Sequence, residues 1–323
     1  MRSNFLKLVR SIPTSTWKQR SHPAFNSYIL LVRHTLALIV LIVLADISLL
    51  LALGVKLVSE LDSWNLACWT GEWFWGYMQR HWERRLNALD AIQVTGDEIP
   101  QDESALVICN HIGYSDYYLV QHLASRAKML GKSRYFVKKE IVRIPLFGWA
   151  FWAMGMILVS RDWTSDERLI EKAFAQVKEN KHDCWIVLYP EGTRRTPNKI
   201  LRSKAYAKAN GKQELDHVLF PRTKGFVRTV RALRDSHIRY LYDLTFLYTS
   251  PNPDPYQVPS LAEQLSCEEL ARAGYKFRIH VRRIPLADLP EGKEELQHWC
   301  EQAWAEKDKV LSSMMDERGR LKN

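Results

Sequence analysis

The chain of 323 residues has only five cysteines (Cys68, Cys109, Cys184, Cys267 and Cys300), and no two form a C-x-x-C pair. That spacing excludes a cysteine zinc site, and an odd, dispersed set does not make a disulfide framework. The thiols read as reduced and facing a cytosol-like compartment; Cys109, inside an apolar run, reads as a packing residue. The ten histidines contain no H-E-x-x-H or comparable grouping, so no metal is expected. Internal repeats, low-complexity segments and a Pro/Gly linker after residue 91 are also missing, so that region reads as one domain. Acidic residues are absent from segment 1–34, which carries Arg2, Lys7, Arg10, Lys18, Arg20 and Arg33.

What the chain does have is apolar and basic. Hydrophobic residues make up 46%, enough for a folded core, and the formal net charge is +10. A basic excess suits an anionic partner: nucleic acid, acidic lipid headgroups or a phosphorylated substrate. From Leu36 to Val55 the chain reads LALIVLIVLADISLLLALGV, interrupted mainly by Asp46. A run of about 20 apolar residues matches a hydrocarbon core roughly 30 Å thick, so residues 35–55 are a candidate transmembrane helix. The run starts too late and is too long for a signal peptide. Asp46 near its middle predicts a shallow helix or one with a partner for the carboxylate. The basic flank predicts a cytoplasmic N-terminus if the helix spans.

Five of twelve tryptophans (Trp64, Trp69, Trp73, Trp75 and Trp82) follow directly, with Arg80, Arg84 and Arg85 closing the segment. Indole rings and then arginines suit a headgroup surface, so residues 60–90 are expected to form an amphipathic interfacial helix. The competing expectation is a helix packed against a soluble core through its tryptophans. Aromatics clustered beside an apolar helix, rather than on a basic module, exclude nucleic acid as the partner.

From residue 91 the pattern alternates. Strands are expected at Ile92–Val94, Ala105–Cys109, Tyr135–Val137, Met156–Val159, Trp185–Tyr189, Leu241–Tyr248 and Phe277–Arg282. Helices are expected at Asp116–Leu130, Pro145–Met154, Ser165–Glu179, Lys224–Asp235 and Gly292–Met315, with Thr196–Asp216 a polar surface excursion. The fold class is therefore α/β, a mixed central sheet flanked by helices and preceded by N-terminal membrane helices.

Four strand ends carry chemistry-bearing residues. The first is Asn110-His111-Ile112-Gly113-Tyr114-Ser115-Asp116. Five residues of regular helix turn about 500°, so His111 and Asp116 meet only if His111 lies in the loop and Asp116 in the first helical turn. Gly113 permits such a turn and Ser115 is a candidate N-cap. Asp116 would then fix one imidazole nitrogen and leave the other as a proton acceptor. Alone, a His/Asp pair at this spacing is common. The second element is Lys138-Lys139-Glu140 before Ile144-Pro145-Leu146-Phe147-Gly148, and the third is Gly155-Met-Ile-Leu-Val-Ser-Arg161. The fourth, Pro190-Glu191-Gly192-Thr193-Arg194, offers a turn, a hydroxyl and a guanidinium suited to a phosphate. Taken singly, each cation reads as a solvated surface charge.

In this order the elements NHxxxxD, KKExxxIPxxG, GxIxxxR and PEGTR resemble the glycerolipid acyltransferase family of 1-acylglycerol-3-phosphate and lysophospholipid acyltransferases. His217 to Phe226, Tyr242-Asp243-Leu-Thr245 and Glu306-Lys307-Asp308 resemble its eukaryotic branch, over roughly residues 100–310. Arg134 to Lys138 and Ser160 to Trp163 are most similar to fungal members. Leu158 departs from the family, where many relatives have an aromatic.

The resemblance implies an acyltransferase domain over 91–323 after membrane-associated helices at 35–90. It implies that His111 is a general base for a lysophospholipid hydroxyl, of the lysophosphatidic acid or lysophosphatidylinositol type, which attacks the thioester of acyl-CoA. Asp116 would orient the imidazole. Lys138, Arg161 and Arg194 would bind phosphate in a pocket shaped by Glu191, Gly192 and Thr193. It further implies no cofactor, acyl-CoA as co-substrate, contact with membrane lipids, and residence in a membrane, that of the endoplasmic reticulum. A CoA-independent transacylase and an inactive lipid-binding protein stay open as alternatives.

Overall fold

A computed structural model describes residues 23–86, 91–145, 148–160, 163–249, 258, 270–272 and 274–315. Most of the basic N-terminal segment, together with Arg161 and Cys267, lies outside them. The chain begins with two long helices, α1 (Pro23–Val55) and α2 (Glu60–Leu86). There follow β1 (Ile92–Gly96), β2 (Ala105–Cys109), α3 (Asp116–Arg126) and β3 (Ser133–Lys138). A 3-10 turn (Lys139–Arg143) leads to α4 (Gly148–Ala153), β4 (Ile157–Val159), α5 (Trp163–Asn180) and β5 (Trp185–Leu188). The remainder is α6 (Pro197–Ala209), α7 (Thr223–Leu233), β6 (Tyr240–Thr249), β7 (Lys276–Pro285) and α8 (Lys293–Met314).

Seven strands form one sheet in the order β1-β7-β6-β2-β5-β3-β4. β6, β2, β5, β3 and β4 pair in parallel, while β7 runs antiparallel to β6 and β1 follows β7. The sheet is mixed, as the sequence predicts, and each expected strand has its counterpart. The central strands are apolar without a break because helices cover both faces. In β2, Val107 and Cys109 join the cluster containing Leu119 of α3, whereas Leu106 and Ile108 join Phe226 of α7 and Trp304 of α8. Trp185 and Val187 divide from Ile186 and Leu188 in β5 in the same way. That is the two-residue period of a strand buried on both sides.

Several boundaries differ from expectation. The Thr196–Asp216 excursion contains α6, a helix with Pro197 in its first turn that buries Ile200 and Ala207, seven residues apart on one face. Its polar sequence concealed a helix held by a narrow apolar stripe. α3 stops at Arg126, and Lys128 follows with φ +57°. α4 begins only at Gly148, after the 3-10 turn. α1 starts at Pro23, well before the apolar run.

Within α1, Val32–Val55 is long and apolar enough to cross a membrane. One face (Ala45, Leu49, Ala52) packs inward, with Ser63 Oγ donating to the Ala52 carbonyl at 2.7 Å and Ser48 bonded to Thr70 at 2.6 Å. Leu36, Val40, Val43, Leu44, Ile47 and Leu51 remain exposed. Asp46 Oδ1 is buried without a hydrogen-bond partner among the described residues, in a helix whose neighbours include Trp149 and Phe151 of α4.

α2 is part of the sheet's core as well as a surface helix. Trp82 is buried and stacks on Tyr118 at 4.7 Å. Glu72 accepts from the Gly131 amide at 2.9 Å, and Glu83 from His122 at 2.8 Å. Arg134 of β3 lies 4.2 Å over the Trp64 ring. Trp69, by contrast, is exposed. The tryptophan cluster thus divides between core packing and surface, because 27 residues of helix present every face.

Candidate active site

Because β2, β5, β3 and β4 are parallel neighbours, their carboxyl ends lie along one edge, the edge where open α/β sheets receive ligands. His111 follows β2, Glu191 to Arg194 follow β5, and Lys138 ends β3. β4 ends at Val159, paired with Lys138 and two residues before Arg161.

His111 lies in the loop and Asp116 is the first residue of α3, with Nδ1···Oδ2 at 2.6 Å. Asp116 Oδ2 also accepts from the Ile112 amide at 2.8 Å, and the Gly113 amide reaches both carboxylate oxygens at 3.1 Å. Tyr248 donates its hydroxyl to Oδ1 at 2.6 Å. A carboxylate that accepts from this many donors is held in place. With Nδ1 carrying the proton toward Asp116, Nε2 is left as an acceptor. His111 keeps 24% of its side-chain surface, whereas Asp116 keeps 1%. The base candidate is reachable and its orienter is not.

The turn is built differently from the expected one. Ser115 occupies the N-cap position but makes no capping bond, and its Oγ is buried without a partner among the described residues. The Asp116 side chain reaches back instead and satisfies the two preceding amides. Gly113 is required for space: a Cβ there would meet the Val258 side chain at 2.7 Å. Asn110 anchors the loop to β6, donating to the Phe246 carbonyl at 3.0 Å and accepting from its amide at 2.8 Å. Tyr189 packs its ring 4.4 Å from that of His111.

The Pro190–Arg194 turn meets this loop directly. Arg195 donates its amide to the His111 carbonyl at 2.7 Å. The Arg194 guanidinium lies 3.8 Å over the ring of Tyr114, which is 51% exposed. Gly192 adopts φ +65°, which a side chain would strain. Thr193 accepts from Lys199 of α6 at 2.5 Å. Lys138 is exposed at its strand end. Glu191 faces the other way: it is buried, with Oε1 accepting from the His111 amide at 3.2 Å and the Trp304 indole at 3.4 Å. Its carboxyl supports the back of the His111 loop.

Burial pushes the Glu191 carboxyl up to about 8, against partial relief from the His111 amide and the Trp304 indole. The folded protein therefore retains a proton that the unfolded chain releases near pH 4.5, so Glu191 lowers stability progressively from about pH 4.5 to 8. Glu191→Gln is isosteric with the protonated acid. We expect the variant to match the wild type near pH 4.5 and to exceed it by ~2–4 kcal/mol near pH 8. Thermal unfolding followed across that range checks this, and parallel curves would contradict it.

Sequence reasoning missed the partners supplied by other elements. Tyr248, Phe246 and Trp304 lie between 113 and 136 residues from the groups they bond. The Glu306-Lys307-Asp308 motif proves to be a clamp. Glu306 pairs with Arg282 of β7. Lys307 Nζ reaches Asp243 at 2.5 Å and the Leu244 carbonyl at 2.7 Å in β6. Asp308 accepts from the amides of Asp216, His217 and Val218. No group of three or more potential metal ligands occurs among the described residues.

The acyltransferase family model matches residues 91–248, and the acyltransferase C-terminus model matches residues 270–320. The chain is 31% identical over 217 residues to an uncharacterized acyltransferase of Schizosaccharomyces pombe, covering 66% of this chain and 61% of that protein. It is 33% identical over 218 residues to a probable 1-acyl-sn-glycerol-3-phosphate acyltransferase of Arabidopsis thaliana, covering 68% and 55%. It is 30% identical over 223 residues to lysocardiolipin acyltransferase 1 of Mus musculus, covering 69% and 57%. The chain thus spans between 55% and 61% of the length of these relatives. In fold it is similar to the 1-acyl-sn-glycerophosphate (LPA) acyltransferase PlsC of Thermotoga maritima, with a TM-score of 0.51 and 14% identity, covering 91% of this chain and 100% of that one. With two family models spanning well over half of its length and the motif-bearing strand ends aligned along one edge, the chain belongs to the glycerolipid acyltransferase family.

Proposed function

We propose that this protein transfers a fatty acyl group from acyl-CoA to the free hydroxyl of a lysophospholipid, of the lysophosphatidic acid or lysophosphatidylinositol type. The observation that carries the proposal is the His111–Asp116 bond of 2.6 Å beneath a partly exposed imidazole. Nε2 of His111 takes the hydroxyl proton while the oxygen attacks the thioester carbonyl. Asp116 stabilises the imidazolium that forms. As the tetrahedral intermediate collapses, the C–S bond breaks, the new ester C–O bond remains, and the proton passes from His111 to the departing thiolate.

Direct transfer is favoured over a covalent acyl-enzyme. Cys109 is fully buried, and burial pushes its thiol well above the ordinary range. Ser115 Oγ is likewise buried. Neither can present a nucleophile to a thioester. In the same proposal Lys138, Arg161 and Arg194 hold anionic groups of the substrates, with Gly192 and Thr193 shaping the turn that presents Arg194. Exposed leucines and valines on α1 support membrane residence, which we assign to the endoplasmic reticulum. Leu49 of α1 shares a cluster with Phe151 of α4 and with Met154 just after it, in the connection that leaves the carboxyl end of β3. That packing ties the apolar helix to the substrate edge.

A panel of lysophospholipids and acyl-CoAs, with the protein in lipid and products identified by mass, tests the reading. Diacyl product is expected only when acyl-CoA is supplied. Product formed without acyl-CoA would establish a transacylase instead, and no product with any pair would refute acyl transfer.

A further inference from the structure

Tyr248 stands next to last in β6, the strand that also carries Phe246, the partner of Asn110. One strand therefore holds both the residue before His111 and the carboxylate that orients it. The Tyr248 hydroxyl and the His111 ring take opposite oxygens of Asp116, each at 2.6 Å. Tyr248 and Asp116 are both buried, and an edge contact with Phe277 at 5.2 Å fixes the phenol ring. Burial, reinforced by the neighbouring Asp116 charge, pushes the phenol well above its ordinary range, so it remains a donor.

We propose that Tyr248 is a positioning residue for acyl transfer, its hydroxyl fixing the Asp116 carboxylate and tempering the negative charge that Asp116 presents to His111. The proposal rests on the reading of His111 as general base. A carboxylate that shares its charge with a hydroxyl donor holds an imidazolium less tightly. Without the hydroxyl, the imidazolium is favoured and the basic form of His111 is reached only at higher pH. Among the described residues, the other titratable and charged groups around the pair are Cys109, Tyr189 and Glu191, with Lys307 behind them and Tyr114, Arg194 and Arg195 on the loop side. Burial raises Cys109 and Tyr189 well above their ordinary ranges and takes Glu191 to about 8.

Tyr248→Phe in the full chain, reconstituted in lipid, removes only the hydroxyl. We expect kcat to fall roughly tenfold, the loss of one hydrogen bond to a charged group, with KM for both substrates unchanged. The acid limb of the rate profile should move to higher pH. Fluorotyrosine at position 248, a stronger donor, should move it the opposite way, and this replacement keeps the test open if Tyr248→Phe fails to fold. Unchanged kcat and unchanged limbs in a folded variant would overturn the proposal, as would a rise in KM at constant kcat, which would put Tyr248 in contact with substrate. If His111→Ala stays active, the base reading fails rather than the Tyr248 link. In that event, or if the wild type shows no turnover, histidine-selective NMR decides. The His111 titration should shift in Tyr248→Phe, and an unmoved titration overturns the proposal.

Discussion

Replacing His111 with alanine is expected to lower kcat/KM for acyl transfer by ~100- to 10,000-fold, the range general-base catalysis contributes. The loss should fall on kcat, because the imidazole acts on the proton in the transition state while other groups bind the substrates. Folding should survive. His111 is partly exposed, and Asp116 Oδ2 still receives the Ile112 and Gly113 amides when the ring is gone. Asp116→Asn should approach the same defect, since an amide cannot reproduce both the charge and the set of accepted bonds. The double variant should be little worse than His111→Ala alone, because the two residues act as a unit. Steady-state kinetics on the three variants, with thermal unfolding as the control for folding, checks this. Turnover within a few-fold of wild type in His111→Ala would remove the base from the mechanism.

The second large effect is on stability. Lys307 is fully buried and spends its three protons on Asp243 Oδ1, the Leu244 carbonyl and Thr245 Oγ1. Burial would raise the Asp243 carboxyl, but Lys307 and then Arg282 outweigh it and hold the group below the usual carboxylate range. Lys307→Met leaves Asp243 ionised, buried and supported by Arg282 alone, at 2.6 Å. Breaking such a pair costs about 3–5 kcal/mol, a fall in unfolding midpoint on the order of 10 °C for a domain of this size. Lys307→Met combined with Asp243→Leu should recover most of that loss, because two apolar side chains leave no stranded charge. A single variant that unfolds with the wild type would contradict the assignment. The clamp also explains why three consecutive residues of α8 form a motif: each grips a different element, and β6, in the middle, carries Phe246 and Tyr248 to the His111 loop.

The strands were legible because their apolar runs are short, bounded and rich in β-branched residues, as in Ala105–Cys109 and Trp185–Leu188. The His111–Asp116 meeting was legible as a condition: it required a loop histidine and a helical aspartate, and that is the arrangement found. What held the turn was not. Ser115 has the chemistry of a cap, yet its hydroxyl makes no capping bond, and the loop is held by Asp116 accepting from the Ile112 and Gly113 amides upstream of the helix. α6 was hidden because its sequence is largely polar and the side chains it buries are Ile200 and Ala207. The inward turn of Glu191 could not be read from a strand-end motif, because its partner Trp304 lies 113 residues away. The partners of Tyr248 and Lys307 were illegible for the same reason: long-range pairing follows from how the elements pack, which periodicity does not encode.

One rapid-quench measurement bears most directly on the mechanism. The protein in lipid is mixed with acyl-labelled acyl-CoA and a lysophospholipid accepted in the panel, and free thiol, labelled phospholipid and protein-bound label are followed in the first turnover. Direct transfer with His111 as base predicts thiol and labelled phospholipid appearing together, one for one, with no label on the protein at any time. Thiol released ahead of product, with label passing through the polypeptide, would contradict it.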